Sequence, residues 1–165
     1  MGFYLNSEFR PASQKGGFVD YLSREAVAKY IALNFEPYYA HLKEYFGTVI
    51  KRAIYDKPAM HLSDGRMWTF CFNSEFEKKY HLSPMIWYPA MWYYIGPETS
   101  AVRNALYGFR AELFAENYIG QLAEWCDSHG IKLSGHLDQE ETRNPVSVNG
   151  DLMKAFEHQQ IPGYR

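Results

Sequence analysis

The side chains best placed to do chemistry lie in one run, residues 131–141, which reads IKLSGHLDQEE. Residues 131–137 form a short apolar stretch bounded by Gly130 and a polar loop, the pattern of a buried strand. At and beyond its end stand His136, Asp138, Glu140 and Glu141. A second short run, residues 49–55 (VIKRAIY), is rich in β-branched residues and bounded by Gly47 and Pro58, so it also predicts a strand. It delivers Asp56 and Lys57 at its carboxyl end. In parallel α/β sheets, sites form at the carboxyl ends of strands, where the following loops gather. If the two strands are neighbours, carboxylates from both share one face. That is the requirement of glycosidic cleavage. One carboxylic acid protonates the leaving oxygen, and the other acts as nucleophile at a separation of roughly 5 Å or activates water at roughly 6.5–9.5 Å.

Each of these residues also has a plainer reading. Asp56 can cap the turn that follows it. His136 can be a satisfied structural histidine at a strand end, although Gly135 beside it permits close backbone approach. Glu140 and Glu141 can be a solvated loop pair. Lys57 can pair with either acid and so favour its ionised form over the proton donor. Glu75 and Glu77 read as charges on a helix surface. Trp68 is a candidate sugar contact, whereas Trp87, Trp92 and Tyr93 read as packing before they read as a sugar platform.

The elements that must position these groups are legible as patterns. Ser23 suits a helix N-cap, and apolar residues from Val27 to Phe46 recur at three and four, with a break expected at Pro37 and a positive-φ stop at Gly47. Residues 59–73 predict a loop turning at Asp64-Gly65, then a short helix over 74–80 and a short helix or aromatic wall over 84–94. Thr99 or Ser100 opens the clearest helix, closed by Gly130. A last helix spans about 150–158, with Leu152, Met153 and Phe156 expected inward, and Ile161 begins a strand or loop. Residues 1–20 read as irregular. The order of elements points to βαβ units and a parallel sheet.

Composition bounds the function. The chain has 165 residues, 47% of them hydrophobic, so a single domain with a real core is expected. The net charge of −2 with scattered Lys and Arg gives no basic face for nucleic acid. No apolar run is long enough for a membrane span, and the N-terminus shows no signal-peptide pattern. Cys71 and Cys126 have no metal-like spacing and leave the compartment open. There is no G-x-S-x-G elbow, P-loop, G-x-G-x-x-G or HExxH, so neither cofactor nor metal is expected. Aromatics are abundant (4 Trp, 14 Tyr and 11 Phe) and serve a core or stack on sugar rings.

Three blocks together resemble a family. Residues 17–22 (GFVDYL) with the helix running to Gly47, residues 54–58 (IYDKP), and residues 125–141 continuing to Gly150-Asp151 and residues 161–163 are similar to large bacterial TIM-barrel glycoside hydrolases of the rhamnosidase-like kind. The resemblance implies a partial (β/α)8 barrel over residues 1–165, parallel strands with long flanking helices, as an interior fragment of a larger enzyme. It implies a carbohydrate substrate, with Asp56 in the sugar site and His136 and one of Glu140 or Glu141 contacting or processing the glycoside. The expected site is then Asp56, Glu140 and Glu141 as catalytic residues, with His136, Asp138, Lys57 and Trp68 in contact with sugar. Where such proteins read Asp-Glu-Pro, this chain reads Asp56-Lys57-Pro58, and a lysine cannot serve as the carboxylic acid. The alternative is a non-catalytic carbohydrate-binding remnant. Two strands alone also leave sheet edges open, which predicts self-association.

Overall fold

The computed structural model describes residues 19–60, 68–141 and 146–162. Helix α1 (Arg24–Asn34) starts at Ser23, whose side chain accepts a hydrogen bond from the Ala26 N–H. The expected break comes at Phe35, two residues before Pro37, and α2 (Glu36–Leu42) carries that proline in its first turn. The displacement has a simple cause. Proline has no N–H to give and crowds the carbonyl four residues back, so the interruption falls ahead of it. A 3-10 turn (Lys43–Tyr45) follows, and Gly47 takes φ +77 as its position predicts.

Strand β1 (Arg52–Asp56) begins three residues later than the sequence pattern places it. The N–H groups of Thr48, Val49 and Ile50 all turn back to the Tyr45 carbonyl, so the first β-branched residues are consumed by a turn. Helix α3 (Phe72–Tyr80), a 3-10 segment over Met85–Met91 and helix α4 (Thr99–Phe114) follow. The axis of α4 continues through a π-helical segment (Ala115–Gly120) into α5 (Gln121–Ser128). Ala115, Tyr118, Ile119 and Gly120 of the π segment are all buried, so its wider turn packs against the core. Strand β2 (Lys132–His136) lies inside the expected limits. Two short helices close the described chain, α6 (Val146–Asn149) and α7 (Leu152–His158), the latter capped by Asp151.

β1 and β2 pair in parallel, with Arg52 opposite Lys132 and Asp56 opposite His136. Ile161 adds a single parallel bridge to Ser134 on the far side of β2. The chain is therefore an α/β protein with a parallel sheet, but the expected partial barrel is not what it forms. Among the described residues the sheet has two strands. Every element between Phe72 and Ser128 is helical, where a barrel would need further strands. Ala53, Tyr55, Leu133 and Leu137 turn toward the helices and join the core with Phe114, Tyr118, Leu122 and Cys126. On the opposite face Arg52, Ile54 and Asp56 are exposed, Ile54 at 60%.

The last helix packs differently from expectation. Ala155 is fully buried while Met153 is exposed and Phe156 stands at the surface, because the small residue is the one that fits under the π segment. Cys126 is fully buried, and burial, with Asp127 adding, pushes its thiol up to about 12, so it packs as a small hydrophobe. No described helix is long and apolar enough to cross a membrane. The Asp64-Gly65 turn and residues 1–18 lie outside the described residues.

Asp20 tests the packing of the entry turn. Its carboxylate accepts from the Leu22 N–H at 3.0 Å, and Thr69 also bonds to it, yet burial outweighs these bonds and raises its pKa. A carboxyl whose folded pKa lies above its unfolded value stabilises the fold at low pH. That stability is lost as pH rises from about 4 through the folded value. Asp20→Asn should therefore melt progressively higher than the native chain as pH rises from 4 to 7. Parallel melting curves across that range would show that burial of Asp20 carries no net cost.

Candidate functional site

The site is built around Tyr55. Its ring lies over Gly135, its register partner on β2, so closely that a Cβ at Gly135 would stand 2.5 Å from ring carbons. The glycine is thus required by Tyr55, not by an approaching ligand as the sequence alone suggests. The Tyr55 hydroxyl donates to Gln159 Oε1. Gln159 Nε2 in turn donates to the carbonyls of Gly135 (3.1 Å) and Ile161 (3.0 Å). One tyrosine and one glutamine so tie together β1, β2 and the segment after α7. Burial, reinforced by the Glu140 charge, pushes the Tyr55 phenol well above its ordinary pKa and keeps it a neutral donor.

Beside this joint lies a cleft of about 410 Å³ lined by Gly135, Glu140, Phe156, Gln159 and Pro162. Glu140 is its carboxylate. Its Oε2 accepts from the Leu137 N–H at 3.2 Å, and its Oε1 lies 3.4 Å from His136 Nδ1. Gln139, at φ +55, makes the tight turn that brings Glu140 back to the strand end. Phe156, 36% exposed, supplies an apolar ring face.

The structure brings together some of the sequence candidates and leaves others apart. Asp56 ends β1 beside His136 and is exposed. Lys57 follows at φ +51, its N–H donating to the His136 carbonyl at 2.8 Å, and no ion pair joins it to Asp56, Glu140 or Glu141. Two of the three non-glycine residues with positive φ among the described residues therefore sit at these strand ends. Such backbone costs on the order of 1–3 kcal/mol and clusters at functional sites. Asp138 offers its backbone carbonyl to the Asn149 side chain. Glu141 is exposed and does not line the cleft. Trp68 is elsewhere: its indole N–H donates to the Tyr88 hydroxyl at 3.0 Å, and Tyr88 donates to Asn73. That chain belongs to the aromatic packing around Phe72 and Phe109.

Tyr55, Phe156 and Gln159 are the residues that sequence reasoning missed. The bond between Tyr55 and Gln159 spans 104 positions, and nothing local marks it. Among the described residues no group of three His, Cys, Asp or Glu side chains could hold a metal ion. What the arrangement offers is a fixed carboxylate, an amide and an aromatic face in the cleft, with the exposed Asp56 at the neighbouring strand end outside its lining. These are the groups that bind hydroxyl-rich rings.

Comparison with protein-family models, curated proteins and solved structures gives no match.

The joint predicts a mutational signature. Gly135→Ala should destabilise the fold by about 1–3 kcal/mol, since the added methyl must displace a buried ring. In a Tyr55→Ala background the same change should cost clearly less, because the obstacle is gone. Additive costs in urea titrations would mean that Tyr55 does not lie on Gly135.

Proposed function

We propose that this chain acts on carbohydrate as a glycoside hydrolase, with the cleft at the carboxyl ends of β1 and β2 as its site. One observation carries the reading. Glu140 lines a cleft with an aromatic wall and lies 3.4 Å from His136, whose register partner on β1 is Asp56. One carboxylate thus faces the cleft and a second ends the neighbouring strand. Glycosidic cleavage asks for such a pair, one protonating the leaving oxygen and the other attacking or activating water. Phe156 would stack on the apolar face of the ring, and Glu140 and His136 would bond its hydroxyls. The resemblance of the residue blocks at Asp56 and at residues 125–141 points the same way.

A second reading is carbohydrate binding without turnover. It is favoured by the exposure of Asp56 and by Lys57 beside it. A carboxylate in open water gains little from the low-dielectric setting that strengthens catalytic electrostatics.

Hydrolysis of a panel of aryl glycosides, with calorimetry against the matching oligosaccharides, separates the two. Catalysis predicts turnover that falls about 100-fold or more in Glu140→Gln and within about twofold in Glu141→Gln. Heat of binding without turnover supports the second reading instead. A chain that neither turns over nor binds any glycan, or whose Glu140→Gln variant is as active as the native one, rules out the site. Lys57→Glu restores the acidic residue of the resembled pattern. A gain in rate would assign the acid to that position.

A further inference from the structure

The two edges of the sheet are treated unequally. The outer edge of β2 is closed: the Leu133 carbonyl accepts from the N–H groups of Gln160 (3.1 Å) and Ile161 (3.0 Å), and the Leu133 N–H donates to Gln160 Oε1. The outer edge of β1 has no strand beside it among the described residues. Which backbone groups it exposes follows from alternation. The Lys51 carbonyl accepts from Lys132, and the Lys57 N–H donates to His136, so the odd-numbered residues of β1 point at β2. Arg52, Ile54 and Asp56 therefore direct their N–H and C=O groups outward. The side chains of the same three residues share the uncovered face, with Ile54 standing 60% exposed at the middle of the strand.

We propose that this edge pairs with a second copy of the chain, β1 against β1, antiparallel about a two-fold axis through Ile54. That register is the one the sequence fits. It sets Ile54 against Ile54 of the second copy, and it sets Arg52 against Asp56 twice, so both cross-strand ion pairs are attractive. The outward backbone groups of all three residues find partners in it. A parallel pairing would lose the axis. Moving the axis by one residue would set Ile54 against Arg52 or Asp56 and lose both ion pairs, and moving it by two would set like charges opposite each other. Lys57 would meet Lys51 if the strand ran on, but its left-handed conformation (φ +51) turns the chain out of the ladder first. The pairing also explains why an isoleucine stands in solvent between two charges. It brings the second copy's Arg52 beside Asp56 at the end of β1.

One short edge buries less than the area of a standard interface, about 1,600 Å², so the dimer is weak. The inference is independent of the proposed activity, and its test is hydrodynamic. Sedimentation velocity of the native chain from 10 to 500 μM should show a concentration-dependent monomer–dimer equilibrium. Arg52→Glu opposes two acidic pairs and should weaken it about tenfold or more. The swapped double variant Arg52→Asp/Asp56→Arg should restore it to within about threefold. All these positions are exposed, and unchanged melting temperatures will show that the variants fold. A native chain monomeric at 500 μM, an association untouched by Arg52→Glu, or a swap that fails to restore it in a folded protein would each overturn the inference.

Discussion

The architecture of the strand ends depends on one contact, the Tyr55 ring laid across Gly135. Paired strands place these residues side by side, and only a residue without a Cβ leaves room for the ring. The consequence runs outward from there. Because the ring is buried, its hydroxyl must find an acceptor, and it finds Gln159. Because Gln159 is held, its amide fastens the carbonyls of Gly135 and Ile161, and the segment after α7 closes the edge of β2. Burial of a tyrosine is worth a few kcal/mol and each hydrogen bond about one, so packing sets the geometry and the bonds refine it. The cleft is the space left beside this joint.

The same joint explains how the charged groups are shared. Glu140 is held at the lip by a backbone N–H and by proximity to His136, while Asp56 and Glu141 stand in water. Three acids that look equivalent in the chain are thus made unequal by two tight turns, at Lys57 and Gln139, both in left-handed backbone. Only Glu140 faces the aromatic wall.

Much of this was legible in the sequence where the signal is local. β2 is an apolar run with sharp polar borders, and its limits were readable. His136 and Glu140 are four residues apart, so a turn brings them together. The helix over 99–129 is announced by its apolar period, and nothing in that pattern marks the π segment inside it. β1 was displaced because Val49 and Ile50 have strand-like side chains but give their N–H groups to a turn. Met153 and Phe156 read as core by type, and the small Ala155 took the place instead. The barrel expectation followed from motif resemblance and strand-end chemistry, and it failed on the number of strands. The Tyr55–Gln159 bond joins residues 104 positions apart, and no pattern in either neighbourhood foretells it.

The proposed function rests on a sugar binding in this cleft. Backbone amide shifts followed by NMR during titration with the oligosaccharide that binds best test it most directly. Leu137, whose N–H is bonded to Glu140, should move most, together with Gly135 and Gln159. Amides in α3 and around Trp68 should stay still. Shifts concentrated at the Trp68–Tyr88 aromatic group, with Leu137 and Gly135 unmoved, would contradict it.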